Sequence, residues 1–288
     1  MLGIRGFFHK IKIGFIRAGE PSLPYVDSVK RYGNYGEDEF IEMIRDELPS
    51  CEIKRNVMVS SPKGNAEIDC MLLYEDKLFA IEVKRWKGRI IEYEKDFLQV
   101  KTDRYTGERY NKIIKSPFNQ IRRAIYLLRQ QIQVNAWVNA IVFFEDDELE
   151  SITVSSKDAW FDDLQNLKKY ICNSGKQSLG KFAREFFDKC VPADYLYARS
   201  WDKSLHCVID RKSLHFKTVK GAIGAEDIVS INIKHRWSYD DLFIRMLNGT
   251  TQKITVENEK IRVYENGIAK SYSICKLDYI EFGRANKG

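Results

Sequence analysis

The chain has 288 residues, of which 44% are hydrophobic and 12% are aromatic, and its formal net charge is +6. This composition provides a sizeable core and excludes an intrinsically disordered chain, and the length exceeds that of a typical single domain. The mild excess of positive charge is compatible with an anionic partner.

The N-terminal segment, residues 1–29, mixes apolar and basic side chains. No apolar run in it reaches the roughly 18–20 residues that span a bilayer, and no apolar stretch precedes a small-residue cleavage site. The segment predicts either a helix packed on the domain or on a partner chain, or a peripheral contact of residues 1–17 with an anionic membrane surface. We therefore expect a cytoplasmic protein, with membrane-peripheral attachment as the alternative.

The six cysteines are scattered along the chain and include no C-x-x-C pair. This usage indicates reduced thiols in the core of a cytosolic protein and argues against a disulfide framework or a zinc site.

A helix is predicted from the turn at residues 33–36 to about Leu48, where Pro49 ends it. Glu37 lies on its apolar stripe. Asn34 and Glu37 fit a capping box, in which Glu37 folds back on the first turn. Glu37 could also reach a site on the strands that follow, and the two interpretations are compatible.

Two strand-forming runs, residues 66–74 and 78–83, are separated by a polar break and predict a β-hairpin. If Glu75 and Asp76 form the turn, the register places Asp69 opposite Glu82, with Cβ atoms roughly 4.5–5.5 Å apart. Lys84 lies two residues after Glu82 and shares its face.

Asp69 and Glu82 would repel each other at the end of strands that are apolar on both faces. A divalent cation would relieve this repulsion, and carboxylate oxygens suit Mg²⁺ or Mn²⁺. The spacing therefore predicts a site for a divalent metal and a phosphodiester. The alternative is an ion pair at the rim of the sheet, with Lys84 neutralising one acid.

The remainder of the N-terminal half predicts an exposed β excursion over residues 88–102 and a helix that begins at Ser116 and Pro117. A buried strand over 137–144 and a short strand over 152–154 follow, then helices over 161–172 and 179–189. The order predicts an α/β fold with one mixed sheet flanked by helices. Arg122 and Arg123 either contact phosphates or decorate a solvated helix face.

From about residue 200 the sequence changes to short alternating strands, which predict a smaller β-rich domain over residues 200–288. Residues 238–247 are predicted to form its lone helix, capped by Ser238 and ended by Gly249. No catalytic constellation is apparent in this domain, and its histidines are dispersed.

Four motifs in this order resemble the NERD (nuclease-related) domain, a branch of the PD-(D/E)xK superfamily with a restriction-endonuclease-like core. The motifs are Gly33-x-x-Gly36-Glu37, Ile68-Asp69, Ile81-Glu82-Val83-Lys84 with Gly88, and Ser116-Pro117-Phe118-Asn119-Gln120. The resemblance covers residues 30 to about 150, and we assign residues 30–195 to this domain. Glu67, Cys70 and Ser116 stand where the family often has Gln, His and Asn.

The resemblance implies a role for each residue of the motifs. Asp69 and Glu82 would hold Mg²⁺ or Mn²⁺, with the backbone carbonyl near Val83 as a further ligand. Lys84 would orient or deprotonate the attacking water or stabilise the pentacovalent state. Glu37 would complete the metal shell and Gln120 would position the phosphate or the water. The residues expected to contact phosphates are Arg85, Lys87, Arg89, Arg122 and Arg123.

The expected function is therefore a metal-dependent nuclease, an endonuclease acting on DNA, in defence against foreign DNA or in DNA processing. The alternative is a non-catalytic nucleic-acid-binding or scaffolding module on a nuclease-like fold. The β-rich domain would select the substrate, bind a protein partner or mediate self-association.

Overall fold

A computed structural model describes residues 28–286 except 104, 146–147, 155–157, 179, 199, 202–203, 212–213, 215, 219–220, 237–238, 258 and 284. The basic segment 1–17, its proposed membrane contact and the expected cap at Ser238 lie outside the described residues. The chain divides into two compact units. One contains residues 28–59, 66–191 and 285–286, and the other contains 60–65 and 192–283.

The first unit is built on a six-stranded mixed sheet in the order β20-β1-β2-β3-β7-β9. Its strands are β1 (Glu52–Ser61), β2 (Gly64–Tyr74), β3 (Lys77–Lys84), β7 (Val138–Phe144), β9 (Ala159–Phe161) and β20 (Ala285–Asn286). β2 and β3 pair antiparallel, with Tyr74 opposite Lys77, so the predicted hairpin turn is confirmed. β3 and β7 are parallel neighbours in the middle of the sheet, which confirms the buried strand predicted over 137–144.

The described residues of this unit include the helices α1 (Ser28–Glu47), α2 (Pro117–Ile132), α3 (Leu164–Asn173) and α4 (Gly180–Lys189). On one face of the sheet, Phe40 of α1 and Leu167 of α3 pack with Ile81 of β3. On the other face, Leu128 of α2 packs in one cluster with Ala80. The alternation of Ala80 and Ile81 between the two clusters follows the period of two along a strand.

A second, four-stranded sheet accompanies the first, in the order β6-β5-β4-β8. It contains β4 (Gly88–Tyr93), β5 (Asp96–Thr102), β6 (Arg109–Ile114) and β8 (Leu149–Thr153). The predicted mixed sheet flanked by helices is confirmed, and the β excursion of residues 88–102 belongs to this second sheet. The expected exposure of residues 88–102 was wrong for one face, because Ile90 and Phe97 are fully buried in the core shared with α2.

The second unit is almost entirely β, which confirms the β-rich C-terminal region. Eight of its strands form one sheet in the order β16-β15-β14-β19-β10-β11-β17-β18. They are β10 (Asp194–Tyr197), β11 (Leu205–Ile209), β14 (Ile228–His235), β15 (Asp240–Met246), β16 (Thr251–Val256), β17 (Lys260–Glu265), β18 (Ile268–Ser273) and β19 (Tyr279–Glu281). β12 (Phe216–Thr218) and β13 (Gly221–Ile223) form a separate pair.

The helix predicted over residues 238–247 was wrong, because Asp240–Met246 is strand β15. It pairs with β14 on one side and β16 on the other. Leu242 and Ile244 are fully buried in the core of the unit, and long-range pairing overrides local helix preference there.

The structure leaves all six cysteines as free thiols. None of the helices in the described part of the chain is both long enough and apolar enough to cross a bilayer.

Candidate functional site

The β2–β3 ladder ends one step short of the acidic pair. Its last paired residues are Cys70 and Ile81, so the predicted opposition of Asp69 and Glu82 is not a ladder pair. Instead, the Asp69 carboxylate accepts a hydrogen bond from the backbone N–H of Val83 at 2.8 Å. At this end of the hairpin, a bond between the Asp69 side chain and the backbone replaces the backbone pairing. It holds Asp69 against strand β3.

Glu82 and Lys84 form an ion pair on β3, with Nζ 2.5 Å from Oε1. The period of two along the strand places them on one face, as predicted. The Glu82 side chain is 8% exposed and that of Lys84 20% exposed. The pair is therefore mostly shielded from water, and its charges interact more strongly than those of a surface pair.

Glu37 lies on α1, and the Asn56 side chain from β1 links it to Glu67 on β2. The Asn56 Nδ2 donates to Glu37 Oε2 at 3.1 Å and to Glu67 Oε1 at 3.2 Å. The capping box was wrong, because α1 begins at Ser28 and Asn34 lies inside it. Glu37 thus faces the strands, and one amide holds two carboxylates in place.

The electrostatics tie these groups into one acidic cluster: Glu37, Glu67, Asp69 and Glu82, with Lys84 as its cation. Burial, followed by the negative charge of Glu82, raises the pKa of Asp69 well above its usual range. The Lys84 charge opposes this rise, and Glu37 adds to it. A carboxyl group with such neighbours is a typical feature of functional sites.

The pKa of Glu37 is also raised, chiefly because the side chain is removed from water, with Glu67 contributing and the Asn56 hydrogen bond opposing. For Lys84, burial acts to lower the pKa, but the charges of Glu82 and Asp69 outweigh it and raise the pKa. Lys84 therefore remains a cation inside the cluster.

Two glycines of the sequence motifs have steric reasons to be glycine. A Cβ on Gly36 would lie 2.1 Å from Cδ of Arg85, whose guanidinium pairs with Glu39 at 3.2 Å. Gly88 has a φ of +80°, and a Cβ there would lie 2.3 Å from the carbonyl oxygen of Val100. These glycines allow α1 and β5 to approach the chain just after Lys84.

The cations predicted to contact phosphates are spread over the loop after β3, strand β4 and helix α2, and they differ in surroundings. Arg85 is largely enclosed beside Glu39, and Lys87 pairs with Glu148 at 2.8 Å. Arg89 is exposed on β4. Arg122 and Arg123 are exposed on α2, where Arg122 pairs with Asp158. Their phosphate contacts stay a prediction.

Gln120 is exposed near the start of α2, which begins as predicted, with Ser116 accepting from the Asn119 N–H. Its own N–H donates to the Ser116 carbonyl at 3.2 Å. No hydrogen bond or ion pair between described residues joins its side chain to the acidic cluster. The structure therefore brings together Glu37, Asp69, Glu82 and Lys84, and does not add Gln120 to them.

The donor set limits what kind of metal site these residues can form. Within the described residues, no three His, Cys, Asp or Glu side chains are arranged to hold a metal ion. Mg²⁺ does not require such a cage, because it is usually held by one or two carboxylates together with waters and substrate phosphates. Asp69 and Glu82 fit that pattern. They do not fit a closed structural metal site, in which protein side chains supply all of the ligands.

Asn56 is the site residue that the sequence did not reveal. Within the β1 strand its φ is +47°, a left-handed conformation that asparagine tolerates better than most residues. An asparagine in the middle of strand β1 was the available signal, but only the fold shows that it lies between Glu37 and Glu67.

Replacing Asp69 by Asn is expected to stabilise the protein at neutral pH without divalent cations, by roughly 0.5–2 kcal/mol. The pKa of Asp69 is raised above its ordinary 3.8, so the folded state binds more protons than the unfolded state just above that pH. The free energy of unfolding therefore falls as pH rises through the folded pKa. Asn carries no charge and should avoid this loss.

Urea unfolding in EDTA at several pH values checks this, with the exposed Asp46→Asn as control. The gain should shrink as the pH is lowered toward 4. A variant less stable than the parent at neutral pH would contradict the expected repulsion between Asp69 and Glu82.

Comparison with known proteins agrees with the geometry. Residues 32–145 match the family model described as the nuclease-related domain, NERD. No curated protein and no solved structure matched the chain. The mixed α/β architecture is compatible with a nuclease-like fold, and the matched range contains the whole acidic cluster. Residues 32–145 of this chain are therefore similar to the nuclease-related (NERD) domain.

Proposed function

We propose that the protein is a metal-dependent nuclease that hydrolyses phosphodiester bonds of DNA. The observation that carries the proposal is the concentration of Asp69, Glu82 and Glu37 around one lysine at the end of β3. Burial and mutual repulsion raise the pKa of Asp69 and Glu37 there. Such an arrangement costs stability, and proteins tend to retain it where function needs it.

Asp69 and Glu82 are the residues that would hold Mg²⁺ or Mn²⁺, together with the Val83 carbonyl. When bound, such a cation lowers the pKa of a water and offsets the charge of the scissile phosphate. Lys84 remains protonated beside Glu82 and would orient the attacking water or stabilise the negative charge of the pentacovalent state. Glu37 would complete the shell directly or through water, and Gln120 would position the phosphate.

The cations near the cluster would bind the substrate backbone. Arg85, Lys87 and Arg89 follow Lys84 in the chain, and Arg122 and Arg123 lie on α2. Phosphate contacts of this kind would make binding depend strongly on salt. Defence against foreign DNA and DNA processing would both use this activity.

A panel of supercoiled plasmid, single-stranded DNA and RNA, each with Mg²⁺, Mn²⁺ or EDTA, tests the proposal. We expect DNA cleavage with either cation and none in EDTA. Because Asp69 and Glu82 are the proposed ligands, Asp69→Ala and Glu82→Ala should abolish cleavage. If both variants cut as well as the parent, the assignment is wrong.

A second candidate, a non-catalytic nucleic-acid-binding module, is favoured by one observation. Lys84 lies 2.5 Å from Glu82 and already neutralises it. Saturable, salt-sensitive DNA binding would support this candidate if Mn²⁺ changed neither activity nor the melting temperature. Cleavage that requires the cation would exclude it.

A further inference from the structure

An exposed indole outside the acidic cluster is in contact with two cations. Trp137, immediately before β7, is 46% exposed. The guanidinium carbon of Arg129, on α2, lies 5.5 Å from the centre of its ring. Nζ of Lys176, which follows α3, lies 4.2 Å from the same centre. We call these three residues the indole–cation site.

Neither cation of the site has an acidic partner among the described residues. Arg122 and Lys168, in contrast, each pair with a carboxylate. The Nε of Arg129 is also buried and makes no hydrogen bond there. Two positive charges on one ring repel each other, and a buried donor without an acceptor costs free energy. An anion between the two cations would relieve both.

The site is held in place by a buried amide. Asn139, which is 5% exposed, accepts at Oδ1 from the Trp137 indole N–H at 3.2 Å and from the Lys176 backbone N–H at 3.0 Å. Its Nδ2 donates to the carbonyls of Leu78 and Lys176, at 2.9 and 3.0 Å. Asn139 thus fixes the ring and the backbone of Lys176 before any ligand binds, which lowers the entropy cost of binding.

The site continues a stripe along α2. Arg122, Tyr126 and Arg129 are spaced four and three residues apart and so share one helix face, about 10 Å long. The Tyr126 side chain is 50% exposed between the two arginines. An exposed ring flanked by cations is the arrangement on which single-stranded nucleic acids stack their bases.

The topology directs this stripe away from the acidic cluster. Lys84 pairs with Phe144 at one end of the parallel strands, and Leu78 pairs with Val138 at the other. Six residues of strand separate the two ends, about 20 Å. Helix α2 leads the chain from the end of the sheet where Lys84 lies back to the end where Val138 lies. Arg122 therefore lies toward the acidic cluster, and Trp137 lies at the far end.

We infer that the indole–cation site binds backbone phosphates of a single nucleic-acid strand that runs along α2 from the acidic cluster. Arg129 and Lys176 contact the phosphates, Trp137 holds both cations, and Tyr126 stacks on a base. A duplex keeps its bases paired and offers Tyr126 no base face. This inference rests on the proposed function for its ligand class, but binding can be measured without cleavage.

The test measures binding of a fluorescein-labelled oligo(dT) to the full chain in EDTA over a range of salt concentrations. Arg129→Gln/Lys176→Gln should weaken binding about tenfold or more. Its plot of log affinity against log salt should become less steep by about 1.4, since each contact with a single strand contributes about 0.7. The matched control is Lys181→Gln, which removes another exposed lysine over a ring, that of Phe182 at 5.1 Å, and should change neither quantity.

Tryptophan emission gives a second readout that does not depend on affinity. It should change on binding in the parent and much less in Trp137→Phe. Unchanged affinity and salt dependence in the double variant, or a duplex that competes as well as oligo(dT), would overturn the inference. Loss of binding in the double variant supports it even if no substrate is cleaved. Metal-dependent cleavage with unaltered binding overturns it and leaves the proposed function standing.

Discussion

Replacing Lys84 by Met should slow DNA cleavage by roughly 10²–10⁴-fold, the range for loss of a positioned acid–base group. Lys84 lies 2.5 Å from Glu82, and burial does not remove its proton, because the neighbouring carboxylates raise its pKa. Methionine keeps the length of the side chain and removes the ammonium. The variant should therefore fold but lack the cation at the reacting phosphate.

The pH dependence should change as well. The charge of Lys84 lowers the pKa of Asp69 and of Glu37. Without it, both carboxylates ionise at higher pH, so the acid limb of the pH–rate profile should move upward. The matched control is Lys168→Met, which removes a lysine paired with Glu47 at 2.9 Å. Equal rates and equal profiles for Lys84→Met and the parent would show that Lys84 only neutralises Glu82.

Replacing Lys54 by Met should lower the free energy of unfolding by roughly 3–5 kcal/mol, because several buried acceptors would lose a charged donor. Lys54 is 7% exposed, and its Nζ donates to the carbonyls of Phe187, Asp188 and Cys190 at 2.6, 3.0 and 3.0 Å. Phe187 and Asp188 lie in the last turn of α4, where carbonyls have no partner within the helix and the helix dipole favours a cation.

Urea unfolding followed by tryptophan fluorescence measures this loss. Lys189→Met is the control, since Lys189 is an exposed residue of the same helix paired with Glu185 and should contribute at most about 0.5 kcal/mol. A change below about 1 kcal/mol for Lys54→Met would mean that water replaces the ammonium at these carbonyls.

Lys77 performs the same task for α3, with Nζ 2.8 Å from the carbonyl of Ile171 and 2.5 Å from that of Cys172. Two buried lysines thus cap the C-terminal ends of two helices. The sequence did not distinguish these lysines from exposed ones. The helix carbonyls that they contact lie about a hundred residues away in the chain.

The hairpin that carries the site was predictable because its signals are local. Alternation and a polar turn set the register from Tyr74 opposite Lys77 onward, and Ser116 with Pro117 set the start of α2. The predicted register was not kept at its last step, between Asp69 and Glu82. The Asp69 carboxylate accepts a hydrogen bond from the Val83 N–H there, where a ladder pair was expected.

The strand Asp240–Met246 shows where local signals fail. Its apolar residues fit both a helical and a strand pattern, and short runs of this kind are ambiguous. Asp240 and Asp241 are both 1% exposed. Asp240 bonds His235 and Asp241 bonds Thr255, contacts that depend on the pairing of β14, β15 and β16. These contacts form only when the strands pair, so the preference for a strand is not visible in the local sequence.

The start of α1 and the role of Asn56 were missed for a related reason. The helix begins at Ser28, and the turn signals at residues 33–36 lie inside it. Position 36 requires glycine because the side chain of Arg85 packs against it, and not because the chain turns there. A glycine that permits a close approach and a glycine that ends a helix look the same in a sequence.

Nicking of supercoiled plasmid in Mn²⁺ by the parent, by Glu82→Gln and by Glu47→Gln tests the metal-dependent nuclease assignment most directly. Glu47 is the matched control because it is also paired with a lysine but lies outside the acidic cluster. We expect nicking by the parent and by Glu47→Gln, none by Glu82→Gln, and none by any of the three in EDTA. Equal nicking by Glu82→Gln and the parent would contradict a catalytic site at the end of β3.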